Sequence, residues 1–246
     1  MQNSCIRRES SCIPFSHRLN KMIHARLVPN GKYKTIFPDV SVQSFPLNHG
    51  RNSLGQHSSS AFFIRHDPSQ REFLFFGDVE PDALAETPRT INVWRAAAPK
   101  IPNTLSCIFI ECSWPSGRKD DLLFGHLTPE HLGNELAALA AEVVKHRMTI
   151  RRLESPARKR QRRNSATPTH QDLHQALAGV RVYIIHCKDG DTSPPARDII
   201  FDQCIQVVKE KGLGAEVLLA SQGMYLGEGG PVAICLHSDD VLMICV

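Results

Sequence analysis

Short apolar runs separated by turn residues dominate the first half of the chain. The segment SAFFIRHDPSQREFLFFGD, residues 60–78, places the runs AFFIR and EFLFF on either side of Asp-Pro-Ser-Gln. Proline, aspartate and serine between two short apolar runs are typical of a hairpin turn. The sequence therefore predicts an antiparallel β-hairpin here.

The second half alternates continuous apolar runs with amphipathic segments. Three runs have the β-branched composition of strands covered on both faces: residues 104–113, 180–187 and 215–221. A helix is predicted between the first two, with Thr128 as its N-cap, Pro129 at its first position and an apolar stripe at helical spacing. Two shorter helical patterns end at Gly179 and Gly212.

This order of elements determines the predicted fold class. Strand, helix, strand, helix, strand from residue 104 onward predicts parallel pairing through right-handed crossovers. With the antiparallel hairpin before it, the pattern predicts an α/β protein with a mixed sheet. Residues 1–38 show no sustained period and are expected to be a poorly patterned leader, followed by one domain over residues 39–246. The last 20 residues fit either a hairpin turning at 237–240 or a terminal strand pair.

Composition supports a globular chain that contacts no membrane. The 246 residues are 41% hydrophobic and 22% charged, which is typical of a folded domain with a sizeable core. No apolar run approaches the roughly 20 residues that span a bilayer, and we expect a cytoplasmic protein. The eight cysteines include no CxxC pair, which favours reduced, buried thiols over a disulfide scaffold or a zinc ribbon.

The net charge of +4 hides one strongly basic segment. Residues 145–163 carry nine Lys or Arg and one acid, whereas the rest of the chain has 20 basic and 24 acidic residues. The composition predicts a disordered surface insertion at about 151–168. A nuclear-import signal is the main alternative. Nucleic-acid binding is disfavoured because no aromatic residue interleaves the basic ones.

Three residues that can bind a metal ion follow directly on apolar strands. They are His49, Asp78 and His186. Loops at strand ends are a common place for functional side chains, because the rigid strand positions them. A lone histidine at such a place is more often structural, but the three together favour a zinc or manganese site.

His126 is a further candidate, since it lies between Gly125 and the helix cap Thr128. This position puts the imidazole near a helix N-terminus, which favours anions. Gly125 also permits close approach of a ligand or another backbone. His131, on the helix itself, is expected to be an ordinary surface residue.

Five segments carry a family resemblance between Phe45 and Gly223. In chain order they are FLFFGDVEPD, VWRAAAP, TLSCIFIECSWP, LFGHLTPEHLGNEL and VYIIHCKD. Their order and wording resemble the class II cyclic-nucleotide phosphodiesterases, low-affinity cAMP phosphodiesterases known mainly from fungi. The resemblance implies a metallo-β-lactamase-like αββα sandwich with two metal ions, usually zinc. It also implies hydrolysis of the 3′,5′-cyclic phosphodiester of cAMP, with cGMP left open as a substrate.

The resemblance also implies roles for individual residues. Three of them fill metal-ligand positions: His49, Asp78 and His186. Asp78 is the position that bridges both ions. His126 matches a histidine that assists the departing 3′ oxygen or the scissile phosphate. Glu80 and Asp82 lie in the GDxExD stretch and are expected to orient the metal ligands without binding the metal themselves.

One family motif, HxHLDH, does not occur in the chain. Without it each of the two metals keeps two protein ligands, below the three expected of a catalytic zinc site. The resemblance therefore predicts a truncated chain, the C-terminal half of the sandwich, with an incomplete zinc centre and an activity that is left open. The alternative is a non-catalytic remnant that acts through protein contacts and enters the nucleus through its basic segment.

Overall fold

The computed structural model describes residues 27–53, 55–154, 168–188 and 193–221, and three short strands beyond them. The strands up to residue 221 are β1 Lys34–Phe37, β2 Val40–Asn52, β3 Gly55–His66, β4 Arg71–Phe76, β5 Leu105–Glu111, β6 Arg181–Ile185 and β7 Glu216–Leu219. The helices are α1 Thr90–Ala97, α2 Pro129–Glu154, α3 His170–Leu173 and α4 Ala196–Glu210. The later strands are β8 Tyr225–Leu226, β9 Ala233–Leu236 and β10 Leu242–Cys245.

Strands β1 to β7 form one mixed sheet and follow one another in chain order across it. The strands from β1 to β4 pair antiparallel, whereas those from β4 to β7 pair parallel. The predicted hairpin is confirmed as β3–β4, and the predicted crossovers are confirmed by the parallel pairs β5–β6 and β6–β7. The α/β class with a mixed sheet is therefore confirmed.

The two faces of the sheet bury different sets of side chains. On β5, Ile108 and Ile110 belong to a core shared with α1, α2 and α4, whereas Phe109 belongs to a second cluster. Phe109 stacks on Tyr183 of β6, with ring centroids 5.0 Å apart. Both faces are apolar, as the continuous hydrophobic runs predicted. One sheet with helices on one face corresponds to one β layer and one α layer of the implied sandwich.

Four elements differ from the sequence expectation. β1 lies inside the stretch 1–38, for which no pattern was expected, and α1 was not predicted because eight residues hold little periodicity. The predicted helix before Gly179 is regular only over α3. α2 continues to Glu154, into the segment 151–168 that was expected to be disordered, because its last turns are built from strong helix formers. The rest of that segment, 155–167, lies outside the described residues, and nuclear import therefore stays a prediction.

Two smaller expectations concern the cysteines and the C-terminal strands. None of the four cysteines whose side chains are described is in a disulfide, as predicted: Cys107, Cys112, Cys187 and Cys204. Burial raises the pKa of the Cys107 thiol to about 12. β9 and β10 pair antiparallel, which agrees with the hairpin alternative, although its turn lies outside the described residues.

Among the helices that the structure describes, none combines the length and hydropathy needed to cross a membrane.

A buried glutamate joins α2 to α1 and to the loop after β4. Glu135 accepts hydrogen bonds from Trp94 Nε1 at 2.8 Å and from the Asp82 backbone N–H at 2.9 Å. The Asp82 carboxylate accepts from three consecutive N–H groups at the start of α1, those of Arg89, Thr90 and Ile91. These groups have no partner within a helix, so Asp82 caps α1. Burial raises the pKa of the Glu135 carboxyl, against the effect of its two hydrogen-bond donors.

Replacement of Glu135 by glutamine should change the pH dependence of stability. Because the folded-state pKa of Glu135 is raised, the native state holds this proton more tightly than the unfolded chain does. The free energy of unfolding therefore falls as pH rises from about 4.3, the ordinary glutamate value, through the raised value. Urea unfolding across this pH range should show that the free energy of unfolding of the wild type, measured relative to that of Glu135→Gln, decreases as pH rises. A difference that is constant with pH, or that grows, contradicts the assignment.

Candidate active site

Four side chains that the sequence analysis singled out meet at one end of the sheet. They are His49, Asp78, His126 and His186. His49 Nε2 lies 3.3 Å from Asp78 Oδ2, and His186 Nε2 lies 3.7 Å from Asp78 Oδ1. The His126 ring centroid is 4.9 Å from that of His49 and 5.4 Å from that of His186. One ligand atom from each of His49, Asp78 and His126 lies within 4.8 Å of the others.

His49 reaches this cluster from within a strand, whereas the sequence predicted a loop after one. The β2–β3 pairing shifts register between Asn48 and Arg51, and Gly50 has a φ of +65°. Such a bulge bends the strand and redirects its side chains. The bulge packs on the loop before α2 so closely that a Cβ on Gly125 would lie 2.6 Å from the Gly50 nitrogen. His49 Nδ1 also lies 3.2 Å from the Gly125 carbonyl oxygen.

Asp78 and His186 occupy the strand ends that the sequence predicted. Asp78 follows β4 after one glycine, and His186 follows β6 directly. Since β4, β5 and β6 are parallel, their carboxyl ends meet at the same edge of the sheet. His186 has a φ of +54°, a conformation that costs free energy for a residue other than glycine and is common at functional sites.

Glu111, which sequence analysis did not assign a role, holds His126 in place. It is the last residue of β5 and is buried, and both its carboxylate oxygens lie 2.9 Å from His126 Nδ1. Glu111 also accepts the Val79 backbone N–H at 2.7 Å and a hydrogen bond from the Ser113 hydroxyl. The carboxylate keeps a proton on Nδ1, which leaves Nε2 of His126 for chemistry. The signal in the sequence was the acid of ECSxP at the end of an apolar strand.

The two remaining predicted residues, Glu80 and Asp82, have different contacts. The Glu80 backbone N–H donates to the Asn48 carbonyl oxygen at 2.8 Å. Burial raises the pKa of the Glu80 carboxyl, while the nearby Gly50 N–H and His49 act in the opposite direction. Glu80 thus lies against the bulge that carries His49. The Asp82 carboxylate accepts its hydrogen bonds from the start of α1. Asp82 therefore fixes the loop after Asp78 and makes no direct contact of this kind with a proposed metal ligand.

The donors in the cluster fit a divalent transition metal. His49 Nδ1 faces a carbonyl oxygen, which leaves the Nε2 lone pair directed at Asp78, as is typical of metal-binding histidines. Imidazole nitrogens with one carboxylate suit zinc and manganese. Among the described residues, the atoms grouped closely enough to bind one ion belong to His49, Asp78 and His126, and His186 adds a further nitrogen beside Asp78.

Comparison with known proteins identifies relatives of the chain. The sequence profile of the cAMP phosphodiesterases class-II matches residues 3–223. A 3′,5′-cyclic-nucleotide phosphodiesterase of Schizosaccharomyces pombe is 46% identical over 123 residues, which are 49% of this chain and 35% of that protein. The 3′,5′-cyclic-nucleotide phosphodiesterase 1 of Saccharomyces cerevisiae is 28% identical over 184 residues, which are 73% of this chain and 42% of that protein.

A solved structure extends this likeness to the fold. The crystal structure of unliganded yeast PDE1 superimposes with a TM-score of 0.60 at 24% identity. The superposition covers 78% of this chain and 47% of the yeast chain. The chain thus spans less than half the length of these relatives.

Removal of the Glu111 carboxylate should destabilise the protein. In Glu111→Ala the buried Val79 N–H and the buried His126 Nδ1–H each lose their acceptor, which costs roughly 1–3 kcal/mol per group. We expect the free energy of unfolding in urea to fall by at least about 2 kcal/mol. Glu86→Ala is the matched control, because its exposed ion pair with Arg51 should contribute less than about 1 kcal/mol. Equal effects of the two substitutions would contradict the structural role of Glu111.

Proposed function

Because the chain belongs to the class II cAMP phosphodiesterase family, we propose that it forms the catalytic cluster of an enzyme that hydrolyses cAMP to AMP. The convergence of His49, Asp78, His126 and His186 at one sheet edge carries this proposal. The cluster combines a set of metal donors with a histidine backed by a buried carboxylate. Hydrolysis of a phosphodiester needs both features, since charge on phosphorus must be neutralised and the leaving oxygen must gain a proton.

The proposed metal ligands are His49, Asp78 and His186, with zinc as the expected ion. When bound, the ion acts as a Lewis acid on the phosphoryl group and promotes attack by water. The residues behind the ligands fix their orientation: the Gly125 carbonyl faces His49 Nδ1, and Glu80 supports the bulge on which His49 lies. Each ion of the dinuclear centre implied by the family would need ligands beyond these three residues.

His126 is proposed to donate the proton that the departing 3′ oxygen requires. Its Nδ1 is bound to Glu111, so any proton transferred to substrate comes from Nε2. The buried Glu111 carboxylate balances the positive charge of the imidazole ring when both nitrogens carry protons. Glu111 is thus a positioning residue, and His126 is the group that contacts the reacting atoms.

The activity can be tested on the chain alone and on the chain joined to an HxHLDH-containing segment of a family member. We expect zinc-dependent conversion of cAMP to AMP by the joined protein, measured by chromatography. Asp78→Ala should abolish this conversion because the carboxylate contacts both flanking histidines. Asp202→Asn, on the exposed surface of α4, should not change it. A joined protein that retains zinc but forms no AMP contradicts the proposed function.

The roles of the histidines can be separated by comparing turnover with metal content. His126→Ala should lower kcat by roughly 10²- to 10⁴-fold, the usual contribution of a positioned acid or base, while zinc content stays unchanged. His186→Ala should lose zinc. His170→Ala, at an exposed position on α3, should affect neither quantity. Loss of zinc from His126→Ala would instead make His126 a ligand, which its distance from His49 and Asp78 also permits.

A further inference from the structure

Lys188 brings an ammonium group into the cluster. Its Nζ lies 3.1 Å from His186 Nε2, the same nitrogen that lies 3.7 Å from Asp78 Oδ1. We propose that Lys188 is a catalytic residue that binds the anionic phosphate of the cyclic nucleotide. This inference rests on the function proposed above and adds a contact to the substrate.

The backbone that carries Lys188 is held by the neighbouring strand. The Lys188 N–H donates to the Ser113 carbonyl oxygen at 3.0 Å, and the Ser113 hydroxyl lies 2.8 Å from the His186 carbonyl oxygen. One step earlier, the Cys112 N–H donates to the Ile185 carbonyl oxygen at 3.2 Å. The contact between the ends of β5 and β6 therefore continues past the last paired residues. The lysine stem starts from a fixed position beside His186.

The hydrogen bond from Lys188 competes with the proposed metal for one lone pair. The Nε2 atom of His186 has a single lone pair, which can either accept a hydrogen bond from an ammonium or bind a metal ion. When His186 binds the metal, the Lys188 ammonium must find another acceptor within reach of the same cluster. The two non-bridging oxygens of a cyclic phosphodiester carry one negative charge, and a charge-assisted hydrogen bond to them is stronger than a neutral one.

Two basic side chains on flanking segments, Arg51 and Arg118, are already engaged elsewhere. Arg51 pairs with Glu86 at 3.2 Å. Arg118 lies 3.6 Å from the centre of the Trp114 ring and also donates to a backbone carbonyl. Lys188 differs from both, because its contact among the described residues is an imidazole nitrogen inside the cluster. Lys188 is therefore placed to meet a phosphate there.

Calorimetric titration of the zinc-loaded 246-residue chain with cAMP and with adenosine tests this inference. Adenosine is the neutral probe, because it has the base and sugar but no phosphate. Lys188→Gln should weaken cAMP binding by about 10- to 100-fold and leave adenosine binding and zinc content unchanged. Lys188→Arg, which keeps the charge, should retain most of the affinity. Lys209→Gln, an exposed lysine of α4, is the matched control and should behave as wild type.

The other outcomes separate this inference from the proposed function. Equal cAMP affinity of wild type and Lys188→Gln overturns the role of Lys188 and leaves the phosphodiesterase proposal intact. Loss of zinc from Lys188→Gln also overturns it, since Lys188 then only positions His186. If the zinc-loaded wild type binds no cAMP and the joined protein forms no AMP, the proposed function fails, and this inference fails with it.

Discussion

At the carboxyl end of β5, the buried carboxylate of Glu111 accepts hydrogen bonds from the loop after β4 and from Ser113, and it holds His126. Ser113 in turn lies against the backbone of His186. One charged group thus links the segments that carry three of the four clustered side chains. A buried carboxylate without these partners would be costly, so the hydrogen bonds to Glu111 stabilise the assembled site.

The fourth side chain, His49, depends on a contact between two glycines. The β2–β3 hairpin extends beyond the sheet, and its bulge at Gly50 packs against Gly125, which precedes His126. No larger residue fits at Gly125 without displacing the hairpin. This close approach places His49 beside His126, and the Gly125 carbonyl orients the His49 ring. The hairpin and the loop before α2 therefore form a single wall of the site.

Behind the site, the buried Glu135 and the half-buried Asp82 join α1 and α2 to the loop after β4. Glu135 of α2 accepts hydrogen bonds from Trp94 and from the Asp82 backbone, and the Asp82 carboxylate caps α1. The loop that follows Asp78 is thereby fixed from both ends. The two acids of the GDxExD stretch that follow Asp78 thus have different contacts. Glu80 lies against the bulge that carries His49, whereas Asp82 binds the start of α1.

The sequence by itself determined the α/β class, the β3–β4 hairpin and the strands that end in Asp78 and His186, because apolar periodicity and turn chemistry are local. It also indicated His49, as a metal-binding type of residue after an apolar strand, and His126, whose neighbour Gly125 permits close approach. Only the tertiary structure decided that His49 lies in a bulge and that Glu111 supports His126. It also decided that Lys188 reaches His186 Nε2. These contacts join residues far apart in the chain or depend on the direction of a side chain at a strand end, and neither property leaves a periodic trace in the sequence.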